Sequence, residues 1–290
     1  MPESSEAAFH YCLNTSTIKG AGLPLDRELE VAAAAGFSAV EPWIEEIENF
    51  LKSGGSLNDL RRRIGDLGLK IAGAVGFAEW IVPDERQRAR GLEQMKKDMD
   101  LVAAIGGAHI AAPAVGAHEA GHIRPELNQI AERYREILEL GTRTGVTPIL
   151  ELWGFSKSLS RLSDVVHVAI ESGHPNACML LDTYHLYKGG SGFDGLRLLN
   201  GAALPVFHIN DYPASPPPAQ IDDSYRVYPG DGVAPLVQLF RSLRSIGFRG
   251  FLSVELFNPH YWKEPAPDVA RRALEKTKTS VRQAFATDRI

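Results

Sequence analysis

Cysteine is scarce in this chain of 290 residues, where only Cys12 and Cys178 occur. Both lie in short apolar stretches, the usual setting of buried, reduced thiols, so a disulfide scaffold is not expected. Long apolar runs are absent as well, and residues 1–8 carry acids where a signal peptide would carry basic residues. We therefore expect a cytoplasmic protein with no membrane partner.

An excess of positive charge is also missing, because the formal net charge is −5 and the isoelectric point is near 6.0. A phosphate-backbone partner usually requires a basic face, so no nucleic acid is expected. Small polar substrates fit this balance better. At 44% hydrophobic residues, a chain of this length buries a large core without disulfides. The composition is also compatible with a homo-oligomer.

Short β-like runs alternate with amphipathic helical runs along the whole chain. Such alternation predicts parallel strands, and eight units without a linker predict one α/β domain over residues 1–290, a (β/α)8 TIM barrel. A doubly wound open sheet is the rival, but the first turn, residues 14–20, lacks its glycine-rich phosphate loop. The predicted strands are Phe9–Thr15, Ala39–Trp43, Lys70–Val75, His109–Pro113, Thr147–Leu152, Cys178–Asp182, Val206–Asn210 and Phe251–Leu256. The predicted helices are Leu25–Ala35, Leu57–Leu67, Asp84–Ile105, Pro125–Gly145, Leu162–Ser172, Phe193–Asn200, Ala234–Ile246 and Asp268–Phe285.

Each of the last four strands is apolar until an ionisable side chain appears near its carboxyl end. These side chains are Glu151, Asp182, His208 and Glu255. The ends of neighbouring barrel strands lie side by side, so we expect the four groups to converge. Three carboxylates in one place repel one another unless a cation lies between them. The set therefore predicts one divalent metal ion, Mn²⁺ first, with Mg²⁺, Co²⁺ or Zn²⁺ as alternatives. The competing interpretation is four separate buried polar residues, each with local hydrogen bonds.

Further candidates for substrate contacts surround these strand ends. His185 follows Asp182 by three residues, in a predicted loop, where it could reach a substrate oxygen or simply face solvent. Arg226 could hold a hydroxyl, orient a carboxylate or form a surface ion pair. Glu41, near the end of strand two, could bind hydroxyls or be structural. The tryptophans at or after strand ends could stack on a polyol ring or close the barrel top; they are Trp43, Trp80, Trp153 and Trp262, with Trp153 chosen as the contact. The loop histidines, His118 and His122, are interpreted as surface residues.

Three short motifs together resemble the xylose isomerase-like barrel superfamily, which includes sugar isomerases, ketose 3-epimerases and endonuclease IV repair enzymes. They are Asp182-x-x-His185, His208-x-x-Asp211 and the run Ser-Val-Glu-Leu-Phe at residues 253–257. Residues 225–261 are most similar to the inosose (2-keto-myo-inositol) isomerases of inositol catabolism. The likeness is good from Glu151 onward and weaker before it.

The resemblance implies a metal-dependent enzyme that shifts a carbonyl between adjacent carbons through an enediolate. Glu151 and Glu255 would carry the proton, and His185 and Arg226 would steady the oxygens that gain charge. Return of the proton to the former carbonyl carbon gives isomerisation, and return to the opposite face of the original carbon gives epimerisation. The substrate would be a small polyol or ketose.

Alternative functions remain open at this point. A ketose 3-epimerase or another sugar isomerase would use the same metal site, and dehydratases occur on the same barrel. An endonuclease IV-like nuclease needs three zinc ions and an Asp-x-His pair after strand seven, where this chain has Arg226-Val227-Tyr228. A non-catalytic sugar-binding protein would have no need of all four candidate ligands.

Overall fold

Eight parallel strands form the centre of the molecule in a computed structural model that describes residues 9–286. The predicted domain limits, Met1 and Ile290, lie outside the described residues. Every predicted strand is present, and most are one to four residues shorter than expected. They are β1 (His10–Asn14), β2 (Ala39–Glu41), β3 (Lys70–Ile71), β4 (His109–Ala112), β5 (Thr147–Glu151), β6 (Met179–Asp182), β7 (Val206–Ile209) and β8 (Phe251–Val254).

The strands pair in the order β3-β2-β1-β8-β7-β6-β5-β4, which leaves β3 and β4 at the two ends. Ala74, just after β3, joins those ends. Its amide donates to the carbonyl of His109 at 3.2 Å, and its carbonyl accepts from the amide of Ala111 at 2.9 Å. The sheet therefore curls until its edges meet, and the predicted TIM barrel is confirmed.

Helices cover the outside of the sheet, and glycines in the left-handed conformation end two of them, Gly36 and Gly145, with φ of 94° and 78°. Among the described residues, no helix is long and apolar enough to span a bilayer. The α-helices are α1 (Leu25–Ala35), α2 (Ile44–Lys52), α3 (Leu57–Asp66), α4 (Glu85–Ala104), α5 (Leu127–Thr144), α6 (Leu162–Glu171), α7 (Thr183–Lys188), α8 (Leu236–Ser245) and α9 (Ala266–Phe285).

Three local expectations were wrong. The helix α2 was not predicted, because only Pro42 and Trp43 separate it from β2 and both were assigned to the predicted strand Ala39–Trp43. His185 lies in α7 and not in a loop, since Asp182 ends β6 and at the same time caps α7 through its side chain. The helix expected over 193–200 is a 3₁₀ helix, Phe193–Leu198.

The interior of the barrel is filled by small and branched residues, and the main core lies between the sheet and the helices. Cys12 and Cys178 are both inside the barrel, buried and free, as expected. Burial raises the pKa of the Cys178 thiol to about 12. Because the interior of the barrel is apolar, the ionisable side chains of interest lie at the carboxyl ends of the strands.

Candidate metal centre and substrate cavity

Asp182, His208 and Glu255 form a compact group at the carboxyl ends of β6, β7 and β8. Parallel register pairs Asp182 directly with His208, and Glu255 follows the last residue of β8. Nδ1 of His208 lies 3.1 Å from Oε2 of Glu255 and 3.9 Å from Oδ2 of Asp182. One ligand atom from each of the three residues lies within 4.8 Å of the others. All three side chains are buried.

Glu41 fixes the orientation of His208. Its Oε2 lies 2.9 Å from Nε2 of His208 and also accepts hydrogen bonds from Ser253 (2.7 Å) and Asn14 (3.1 Å). A carboxylate at Nε2 favours a proton on that nitrogen, so Nδ1, on the side of Asp182 and Glu255, is the nitrogen that a metal ion would bind in place of a proton. Of the two roles predicted for Glu41, hydroxyl binding and a structural role, its position beneath His208 and outside the cavity lining fits the structural one.

The charges around His208 and Glu255 stabilise both groups in their ionised forms. Burial alone would lower the pKa of His208, but Glu255 and Glu41 raise it well above its ordinary value. Burial alone would raise the pKa of Glu255, but His208 and Arg226 lower it to about 2. The imidazole and the carboxylates thus compensate one another in the absence of a cation.

Glu151, the last residue of β5, lies on the wall of the adjoining cavity. Its side chain is buried, and its Oε2 has no hydrogen-bond partner. Burial raises its pKa to about 8 against the opposing charge of His208. It stands outside the compact group of three, so its role as a fourth ligand stays a prediction. A buried carboxyl oxygen without a partner is rare and marks a site for a missing group or a moving proton.

All five N–H donors of Arg226 are occupied within the protein. One terminal nitrogen donates to Oδ2 of Asp182 and Oε2 of Glu255, both at 2.8 Å. The other donates to Oδ1 of Asp223 at 2.6 Å and approaches Nε2 of His185 at 3.1 Å, while Nε donates to Asp223 at 3.0 Å. The guanidinium is 1% exposed. Of its predicted roles, the orientation of carboxylates fits this geometry, and no donor is left for a substrate hydroxyl.

The contact with Arg226 defines the tautomer of His185. Arginine only donates, so Nε2 of His185 must accept and Nδ1 must carry the proton. Nδ1 is buried without a partner, and the ring lines the cavity. Burial lowers the pKa of His185 to about 3, and the Arg226 charge acts in the same direction. The ring therefore stays neutral and has one N–H available for a ligand.

A cavity of about 420 Å³ opens above these groups. Three of the four tryptophans that follow strand ends line it, Trp43, Trp153 and Trp262. Trp80 does not, since it is buried in the core and donates to the carbonyl of Pro113 at 2.8 Å. The remaining lining residues are Val75, Phe77, Glu151, Phe155, His185, Asp223, Ser224, Arg226, Glu255, Phe257 and Pro259.

The donor set fits a divalent cation. A metal ion holds neighbouring ligand atoms about 3 Å apart when each bond is about 2.1 Å long. Nδ1 of His208 and Oε2 of Glu255 already have this separation, which without a metal ion is that of an ion pair between the imidazole and the carboxylate. Two carboxylates and an imidazole backed by Glu41 form the usual carboxylate–histidine–metal arrangement.

The comparisons with known proteins agree with this fold. The profile of the Xylose isomerase-like TIM barrel family matches residues 29–280. The chain belongs to this family. Relatives of this xylose isomerase-like protein include an inosose isomerase from Bacillus velezensis, 25% identical over 278 residues, which span 94% of this chain and 98% of the relative. A fructoselysine 3-epimerase from Escherichia coli O157:H7 is 26% identical over 271 residues, 88% and 92% of the two chains.

Among solved structures, the IOLI protein with a binding zinc atom superposes on this barrel with a TM-score of 0.87. The two chains are 23% identical, and the match covers 96% of this chain and 100% of the other. The resemblance noted from the motifs is thereby confirmed. With relatives that are isomerases and epimerases over nearly their whole length, this xylose isomerase-like chain is an enzyme of that type.

Sequence reasoning missed the amides that organise the centre of this xylose isomerase-like barrel. Asn14 donates to Glu41 at 3.1 Å and to Glu255 at 3.2 Å, and Asn210 donates to Asp182 at 2.9 Å. Both asparagines are buried at or just after a strand end, the same signal that identified the acids. His118, expected on the surface, packs its ring 5.4 Å from that of Trp153.

Proposed function

We propose that this protein is a divalent-metal-dependent isomerase or epimerase that moves a proton on the carbon beside the carbonyl of a keto-polyol. The observation that carries the proposal is the position of Glu151. Its Oε2 is buried without a partner, on the wall of a cavity that also contains Glu255. A carboxyl group in this state is suited to accept and return a proton.

Glu151 takes the proton from the hydroxyl-bearing carbon, and substrate charge moves to the adjacent oxygens as an enediolate forms. A group exchanges protons best when its pKa lies near the working pH, and burial raises that of Glu151 to about 8. Glu255 faces the same cavity but is fixed by Asn14 and Arg226 and keeps its charge. Return of this proton by Glu151 to the former carbonyl carbon gives isomerisation. Epimerisation places a proton on the opposite face of the original carbon, which Glu255 supplies only after it has taken a proton from solvent.

The developing charge on the substrate oxygens meets a donor from the protein. Nδ1–H of His185 is the one donor of this ring without a partner, and it is held in place by Arg226 through the opposite ring nitrogen. A divalent ion held by Asp182, His208 and Glu255 would supply Lewis-acid stabilisation of the same charge. Mn²⁺ is the first candidate, with Mg²⁺, Co²⁺ or Zn²⁺ as alternatives.

The substrate is proposed to be an unphosphorylated ketone of the 2-keto-myo-inositol type, in line with the inosose isomerase relative. Among the residues that the structure describes, this lining contains no lysine and its one arginine has no free donor, which favours a substrate without a phosphate. The fructoselysine 3-epimerase relative makes 3-epimerisation of a ketose the second candidate.

Proton NMR in D₂O tests the proposal. The Mn²⁺-loaded protein is incubated with 2-keto-myo-inositol or with ketohexoses, and the metal is chelated before spectra are taken. We expect deuterium to enter beside the carbonyl of the inosose and a second ketone isomer to appear. Exchange with ketohexoses alone would assign the epimerase reaction. Loss of water, or no exchange with any ketone, would refute the proposed reaction.

A matched pair of variants identifies the base. Glu151→Gln keeps the shape of the side chain and removes the proton acceptor, so exchange should fall by about 10²–10⁴-fold. Glu171→Gln, on the exposed face of α6, is the control and should exchange like the natural chain. Normal exchange in the Glu151 variant would remove this residue from the reaction.

A further inference from the structure

Phe77 and Phe155 are unusually exposed for phenylalanine side chains, at 45% and 37%. Both line the cavity, and the ring of each contacts that of Trp153. The ring centroids of Phe77 and Trp153 are 6.2 Å apart, and Phe155 stacks on Trp153 at 5.1 Å. We call these three residues the aromatic rim. A contiguous exposed aromatic patch beside a cavity typically marks a binding surface.

The backbone that carries the rim is firmly anchored. Trp80, three residues after Phe77, is buried and donates a hydrogen bond to Pro113. Ser158, three residues after Phe155, donates to the carbonyl of Ala117 at 2.5 Å. Because both segments are held this way, the exposure of the two rings is not the passing state of a loose loop. The rings are presented to solvent by fixed structure.

The buried part of the cavity lining is polar, whereas its more exposed part is mainly aromatic. The buried polar groups that line it are Glu151, His185, Arg226 and Glu255. Its more exposed lining residues are the rim together with Trp43, Phe257, Pro259 and Trp262, and the polar groups among them are Asp223 and Ser224. A bare polyol presents hydroxyls on every edge, and those near the rim would face aromatic rings and not hydrogen-bond partners.

The size of the cavity points in the same direction. Its volume of about 420 Å³ equals that of about 14 water molecules at about 30 Å³ each. A six-carbon polyol, whose bonded atoms pack more tightly than water, fills only part of this space. A bare inosose would therefore reach the buried polar groups and leave the aromatic rim uncovered.

We propose that the substrate is a keto-polyol that carries a flat, uncharged apolar substituent, such as an aryl group, and that the aromatic rim binds this substituent. The polyol part then reaches Glu151 and His185. An anionic substituent is disfavoured because the lining carries the carboxylates of Asp223 and Glu255 and no free cationic donor, and a cationic one finds no unpaired charge because Arg226 already pairs with both carboxylates. This inference rests on the proposed function and specifies its substrate class.

Isothermal titration of the Mn²⁺-loaded protein with phenyl and methyl β-D-glucopyranoside tests the rim. The two compounds share one polyol, and neither has a ketone to react. We expect the phenyl compound to bind at least tenfold more tightly, about 1.4 kcal/mol. In the double variant Phe77→Ala/Phe155→Ala the ratio should fall below threefold. Leu198→Ala removes an apolar side chain that is 89% exposed and lies outside this cavity, and it should keep the full ratio.

Three results would overturn the inference: equal affinities in the natural chain, no binding of the phenyl compound, or a tenfold ratio that survives in the double variant. Circular dichroism of the double variant checks that its fold is intact. The binding assay involves no proton transfer, so it is independent of the exchange assay. Deuterium exchange without a preference for the phenyl compound would refute only the binding of an aryl group by the aromatic rim. A preference for the phenyl compound without deuterium exchange would refute only the proposed proton transfer.

Discussion

Replacement of Arg226 by Met should destabilise the metal-free protein strongly. The guanidinium is fully buried and donates to Asp182, Asp223 and Glu255. Methionine keeps an unbranched apolar stem but leaves these carboxylates without their cation. Removal of one partner from a buried ion pair costs about 3–5 kcal/mol, because the remaining charge is uncompensated. For 290 residues, whose entropy of unfolding is about 0.6 kcal/mol/K, that corresponds to a melting temperature lower by about 5–8 °C.

The loss should be smaller when a divalent ion is present. The ion adds positive charge beside Asp182 and Glu255 and replaces part of what Arg226 supplied. A metal ion that binds the folded state and not the unfolded state stabilises the protein, by about 4 kcal/mol when its concentration is 1,000 times the dissociation constant. We therefore expect the rise in melting temperature on addition of Mn²⁺ to be larger in Arg226→Met than in the natural chain.

Differential scanning fluorimetry with chelator and with saturating Mn²⁺ measures both effects. Arg271→Met is the matched control, since Arg271 is exposed on α9 and pairs with Asp268 and Glu275. Exposed pairs contribute about 0–1 kcal/mol, so this variant should melt close to the natural chain. If Arg226→Met melted within 2 °C of the natural chain in chelator, by the scale used above, the assigned charge balance would be wrong.

Two other substitutions test the surroundings of the centre. Glu41→Gln replaces the carboxylate behind His208 by an amide. The dissociation constant for Mn²⁺, measured by titration calorimetry, should therefore rise about 10–100-fold. An unchanged constant would show that Glu41 does not support His208 as a ligand. Burial raises the pKa of Glu28 to about 9, so the folded state retains a proton that the unfolded state releases above its pKa near 4.5. The free energy of unfolding should therefore fall as pH rises from about 4.5 towards 9. In urea unfolding at pH 8, Glu28→Gln should be more stable than the natural chain by about 1–3 kcal/mol, and at pH 4 this difference should disappear. An equal difference at both pH values would argue against a buried proton on Glu28.

Much of the fold was predictable because the barrel repeats one unit. Each strand is a short apolar run and each helix has apolar residues three and four apart, so periodicity alone located them. The failures occurred where one residue serves two elements. Asp182 ends β6 and caps α7, and no turn residue separates the two. The closing contact was not predicted either: Ala74 lies within the predicted strand Lys70–Val75, but periodicity does not say that it pairs with β4.

The ionisable residues of the centre were predictable, but their partners were not. Strand ends identify which side chains lie at the same end of the barrel, and parallel register brings Asp182 beside His208. Sequence position does not say which way a carboxylate points. Glu41 therefore appeared to be a substrate contact, although three donors hold it beneath His208. The five bonds of Arg226 likewise depend on loop geometry that spacing does not encode.

Metal analysis after reconstitution tests the central claim most directly. The chain is stripped with chelator, loaded with Mn²⁺, desalted and examined by inductively coupled plasma mass spectrometry beside His208→Asn. Three converging ligands predict about one ion per chain in the natural protein and a large loss of bound metal in the variant, with circular dichroism unchanged. No bound ion, or equal metal content in the two proteins, would contradict a metal centre at Asp182, His208 and Glu255.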